Sequence, residues 1–182
     1  MPLHEFLLPE LDLEMAATRK HLERVPFDRF DFKPHEKSMT LGWLATFNAM
    51  LPSWGALALT GDSFDVKPAG GPTIERRNAG SIRDLLDTFD KNVRDVRGAL
   101  IKTDDEAMRR PWSLLAAGQV VFRQPRFLIF RTYFLNHAVH HRAQLGVYLR
   151  LTGVPVPAVY NDSADEHGGM FIDSPVAASS RA

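Results

Sequence analysis

The sequence has no cysteine. That excludes disulfides, thiolate chemistry and any cysteine-ligated zinc site. It has no excess of charge either, with 22 Lys plus Arg against 22 Asp plus Glu. A basic footprint for nucleic acid is therefore missing, and no nucleic-acid partner is expected. No stretch reaches the ~18 apolar residues of a membrane span. The N-terminal residues lack the basic start, apolar block and small-residue cleavage site of a secretory signal. The expectation is a cytoplasmic protein without membrane contact. A net charge of zero does little to oppose association, so an oligomer is expected too.

What is present is helical periodicity. The 182 residues suit one domain, placed at 1–170, with a small, polar, flexible tail at 171–182. Leu8, Leu11, Met15 and Leu22 recur at helical spacing before Pro26. Ser38 reads as the cap of a second helix reaching Ala58, with the stripe Leu44, Phe47, Leu51, Trp54 and Ala58 and a kink expected at Pro52. Residues 60–80 hold six glycines and prolines and read as a long loop. Ser81 caps a third helix, with Asp84 in the capping-box position and Leu85, Phe89, Val93, Val96 and Leu100 facing inward. Residues 112–122 are apolar and read as extended chain or loop. Pro125 opens the longest helix, which Gly153 ends. Four long helices and no convincing run of strands predict an all-α fold, a four-helix bundle.

The last helix carries the chemistry. Its stripe is Phe127, Phe130, Phe134, His137, His141, Leu145 and Tyr148, so two histidines replace core hydrophobes. Side chains four apart stack on one helix face, which lets two imidazoles reach one metal ion. The plainer alternative is a pair of hydrogen-bonded core histidines, each needing partners for both nitrogens. His140 is out of phase with His141 by roughly 100° and reads as a flanking group. A further alternative is metal-independent catalysis with His137 or His141 as a general base, although no clear nucleophile accompanies them and no catalytic residue is assigned.

Residues 136–145 (Asn-His-Ala-Val-His-His-Arg-Ala-Gln-Leu), then Tyr148-Leu149-Arg150, Gly153-Val154-Pro155-Val156-Pro157, Tyr160 and Ser163-Ala164-Asp165-Glu166, resemble the C-terminal signature of DinB-like proteins. Residues 37–45 with Leu51-Pro52-Ser53-Trp54 resemble the second-helix motif of the same family. The resemblance implies an up-down-down-up four-helix bundle with a long loop between helices 2 and 3. It implies a divalent metal, nickel or zinc, held by three histidines, two of which carry over onto His137 and His141. The third position is occupied here by Phe47, with Asn48 beside it as a weak substitute ligand. Asp165 and Glu166 could orient a ligand histidine or pair with Arg142 or Arg150, while His140 and Trp54 would flank the pocket. Characterised relatives include metal-dependent transferases that use low-molecular-weight thiols. Two functions follow as expectations. One is a thiol transferase with an incomplete histidine site. The other is a non-catalytic, metal-free homodimer that binds a small molecule or a partner.

Overall fold

The computed structural model describes residues 1–71 and 77–168. The expected tail at 171–182 lies outside the described residues, as does part of the loop at 60–80. The chain is mostly helical, and none of its described helices is long and apolar enough to cross a membrane.

Helix α1 spans Leu3–Glu23 and α2 spans Leu41–Thr60. The α2 cap is Thr40 rather than Ser38. The Thr40 hydroxyl accepts from Trp43 N at 3.2 Å, while Ser38 is drawn into a preceding turn by its bond to His35 O. Pro52 lies inside α2 without ending it. It brings no N–H to the ladder. Asn92 Nδ2, from the next helix, donates to Ala49 O in this stretch at 3.0 Å.

Helix α3 spans Ile82–Lys102. Ser81 Oγ accepts from Asp84 N at 3.0 Å, and the Asp84 carboxylate accepts from Gly80 N at 2.9 Å. A short helix α4, Asp105–Arg109, follows. Helices α2 and α3 make the most extensive contact in the fold, and α1 packs on α3. Leu11, Leu44, Leu51, Phe89, Phe130 and Phe134 are among the buried side chains between the helices.

The all-helical expectation needs correction. Strands β1 (Ser63–Asp65), β2 (Pro111–Ala116) and β3 (Gln119–Pro125) form a three-stranded sheet. β1 runs parallel to β2, and β2 and β3 form an antiparallel hairpin. Ala117 and Gly118 both take positive φ, 50° and 74°, as a two-residue hairpin turn of the right hand requires. The Asp65 carboxylate accepts from Gly118 N at 2.8 Å and Ala117 N at 3.1 Å, which ties β1 to that turn. Trp112, Phe64, Leu114 and Phe122 form the inner face and pack on Ala58 and Ile129.

The last long helical run has three parts: α5 (Arg126–Ile129), a π-helical stretch (Phe130–Asn136) and α6 (His137–Leu151). The widened turns slip the helix phase. Upstream of them Arg126 and Ile129 face inward, whereas Phe127, expected inside, is 38% exposed. Phe134 lies against Gly55 of α2, where a Cβ would stand 2.4 Å from its ring. Gly153, at φ +78°, closes α6, with Val154 N bonded to Leu149 O and Gly153 N to Arg150 O.

α1 and α6 are joined through buried polar groups. His21 Nδ1 donates to Ala17 O at 2.9 Å, and its ring sits over Gly146. Burial lowers its pKa to about 4, with help from the Arg142 and Arg24 charges and against the Ala17 bond. Between pH 6.5 and 4 the unfolded chain therefore binds a proton that the folded chain refuses. Stability from this group is complete above pH 6.5 and falls by roughly 3 kcal/mol as pH drops towards 4. Urea unfolding across that window should show the loss, and His21→Met should flatten it. An unchanged slope in the variant would assign the acid sensitivity to other groups.

Candidate functional site

His137 is the first residue of α6 and His141 lies one turn on. Their Nε2 atoms are 2.9 Å apart and their ring centroids 4.6 Å apart. The Tyr133 backbone, four residues earlier, hydrogen-bonds the His137 ring. Since Nε2 faces His141, the nitrogen engaged is Nδ1. His141 Nδ1 lies 2.6 Å from Gln144 Oε1, three residues further along the helix. His141 is buried and His137 half-buried.

These partners determine where protons sit. A carbonyl only accepts, so His137 carries its proton on Nδ1 and presents an Nε2 lone pair. With the Gln144 oxygen towards His141, that ring is also protonated at Nδ1, and two lone pairs converge. Such an arrangement takes a shared proton or a cation. A half-turn of the Gln144 amide puts its N–H against His141 Nδ1 instead. His141 Nε2–H then donates to His137 Nε2, and the neutral pair is satisfied without a metal. Burial is the largest influence lowering both histidine pKa values. The Tyr133 and Gln144 bonds oppose it, and the neighbouring histidines reinforce it.

The Phe47 ring closes the remaining side. It stands edge-on to His141 at 4.9 Å and to His137 at 5.6 Å between centroids. Trp43 and Trp54 hold that ring from either side at 6.0 and 5.9 Å, and Trp54 also meets His137 at 6.1 Å. The residues at the third ligand position are thus carbon and aromatic, not donor. Asn48 is buried, with Nδ2 committed to Leu44 O at 2.8 Å, while Oδ1 has no partner among the described residues. No cluster of three or more His, Cys, Asp or Glu suited to a metal occurs among the described residues. The residues present supply two imidazoles and do not fit a three-histidine centre.

The other sequence-derived candidates lie around or away from this pair. The exposed His140 ring is 4.9 Å from His141. Asp165 bonds Arg150 at 2.9 Å and Val156 N at 2.8 Å. Glu166 bonds Arg24 and accepts from Ala158 N at 2.9 Å. Both carboxylates tie down the segment after α6, and the hydrogen bonds of the two histidines go to other groups. Arg142 pairs with Glu14 of α1 rather than with either. Gln144, part of the stretch that resembles the family signature, is the direct partner of His141. Its position three residues on, on the same helix face, was the available signal.

The DinB family model matches residues 81–168. The fold is similar to that of a DinB-like protein from Bacillus cereus ATCC 10987, with TM-score 0.65 and 23% identity, over 87% of this chain and 98% of that one. It is also similar to the DinB-like protein YjoA of Bacillus subtilis, with TM-score 0.63 and 16% identity, over 82% of this chain and 94% of that one. No curated protein matches the sequence. The family model covers a little under half of the chain, and the two solved structures show that its fold is the one found in DinB-like proteins.

Proposed function

We propose that this chain is a non-catalytic DinB-like protein whose histidine pair works without a metal, as an internally hydrogen-bonded pair, and which acts by binding a small molecule or a partner. The observation that carries the reading is the Phe47 ring packed edge-on against both imidazoles. It fills the direction from which a third ligand would come. The reading takes the four long helices as an up-down-down-up bundle and the protein as a cytoplasmic homodimer. The zero net charge, together with exposed Val147 and Leu151 on the outer face of α6, supports association.

A second reading, a divalent-metal-dependent thiol transferase, is favoured by one distance. Two nitrogens ~2.1 Å from one ion would be about 3 Å apart at the right angle of a square-planar nickel site, against roughly 3.4 Å at the tetrahedral angle of zinc. The Nε2 atoms stand at 2.9 Å. Titration of untagged protein with zinc and with nickel separates the two. The metal-free reading expects no stoichiometric binding in the micromolar range, and the transferase reading requires it.

A further inference from the structure

We infer that a small-molecule site lies over His21, in the groove between α6 and the segment that follows it, and that it takes a neutral alcohol with an apolar body. The groove holds about 630 Å³, within the range of small-molecule sites. Val147 and Leu151 of α6 form one wall, Val156 and Val159 the other, and the buried His21 and Gly146 lie at its floor. Arg150, Asp162 and Ser163 form a polar rim and are bonded to Asp165, His167 and Val156 O. The Tyr160 hydroxyl is engaged by Glu14 and Arg142. The inference deepens the small-molecule reading above and rests on it, but it involves neither His137 nor His141.

The class of ligand follows from one atom. His21 is 3% exposed and lines the groove. Its Nδ1–H donates to Ala17 O, so Nε2 carries the lone pair. No described residue donates to that nitrogen, and it keeps some surface on the groove. Burial, helped by the Arg142 and Arg24 charges, holds the imidazole neutral, so at neutral pH it accepts a hydrogen bond without taking the proton. The same two charges disfavour an ammonium donor and leave a hydroxyl. Gly146 is what exposes the nitrogen. A Cβ there would stand 3.5 Å from His21 Nε2 and 3.6 Å from Val156 Cγ1, both ordinary contacts. Packing therefore does not demand glycine, and glycine inside a helix is unfavourable relative to alanine. What its missing side chain achieves is an opening onto Nε2. The apolar walls take the carbon body, and the lone acceptor selects a donor.

Borneol and camphor are the probes. They share one bicyclic carbon body, and only borneol can donate a hydrogen bond. In the full chain labelled with ¹⁵N-histidine, His21→Met identifies the His21 signals among those of the seven histidines. Borneol should move the Nε2 signal upfield, towards the position of a protonated nitrogen, and bind about tenfold tighter than camphor. Gly146→Ala should raise the urea midpoint and remove the preference, because the new methyl covers the acceptor. If either variant does not fold, the two probes on the wild type decide. Equal binding of the probes, an unmoved Nε2 signal at borneol saturation, a proton on Nε2 in the free protein, or a folded Gly146→Ala that keeps the preference would overturn the inference. No binding by either probe would overturn it too, and in a protein that sediments as a dimer would give Val147 and Leu151 to a second copy of the chain. Zinc titration reports on the histidine pair separately, so the metal-free reading and this site can fail independently.

Discussion

Phe47→His should bind zinc or nickel on the order of a hundredfold or more tightly than the wild type. The Phe47 ring already stands 4.9 and 5.6 Å from the two imidazoles between centroids. An imidazole in its place is smaller and brings a third nitrogen to two Nε2 atoms already 2.9 Å apart. The backbone that presents it stays packed, because Leu44, Ala45, Ala49 and Leu51 around it are buried. The Tyr133 and Gln144 bonds then do in the variant what outer partners of metal-bound histidines generally do, holding each ring with Nε2 forward. Calorimetry should show one site per chain. Metal at a thousand times its dissociation constant should raise stability by about 4 kcal/mol. A variant that folds yet binds no better than wild type would mean that the third direction is not the one Phe47 fills.

Arg142→Met should destabilise the protein by about 3–5 kcal/mol, read by urea unfolding. Arg142 is 3% exposed. Its Nη1 donates to Glu14 Oε2 at 2.6 Å and Glu14 O at 3.1 Å, and its Nη2 donates to the Tyr160 hydroxyl at 2.7 Å. That hydroxyl in turn donates to Glu14 Oε1 at 2.9 Å. Burial pushes the Tyr160 phenol up, so it keeps the proton it donates. Removing the guanidinium leaves the Glu14 carboxylate buried with one hydroxyl for company. The double variant Arg142→Met, Glu14→Met should recover most of the loss, because no charge is then stranded. The exposed pair Arg97 with Asp12 is the control, and Arg97→Met should cost less than about 1 kcal/mol. A loss of that small size at Arg142 would mean the cluster does not join α1, α6 and the C-terminal segment as described.

The helices were legible because their apolar spacing repeats over about four turns each. Leu85, Phe89, Val96 and Leu100 are buried as the periodicity of α3 indicates. The sheet was not, for local reasons. Its hairpin turns on Ala117-Gly118, which lacks the Asn-Gly or Asp-Gly signature. β1 is three residues long inside a glycine- and proline-rich loop, and it pairs with a strand about fifty residues away. Phe127 was misplaced because a period of 3.6 residues was carried through a stretch whose turns are wider. At the histidine pair, the spacing of His137 and His141 indicated which residues meet. It could not show which nitrogens face each other, since Tyr133 and Gln144 decide that.

The most direct test of the metal-free histidine pair is titration of untagged wild-type protein with zinc and nickel, followed through the imidazole ¹⁵N signals of His137 and His141. The predicted result is one proton on Nδ1 of His137, one between the two Nε2 atoms, and neither signal displaced by stoichiometric metal. Displacement of both Nε2 signals by one equivalent of either ion would contradict it and establish a two-histidine metal site.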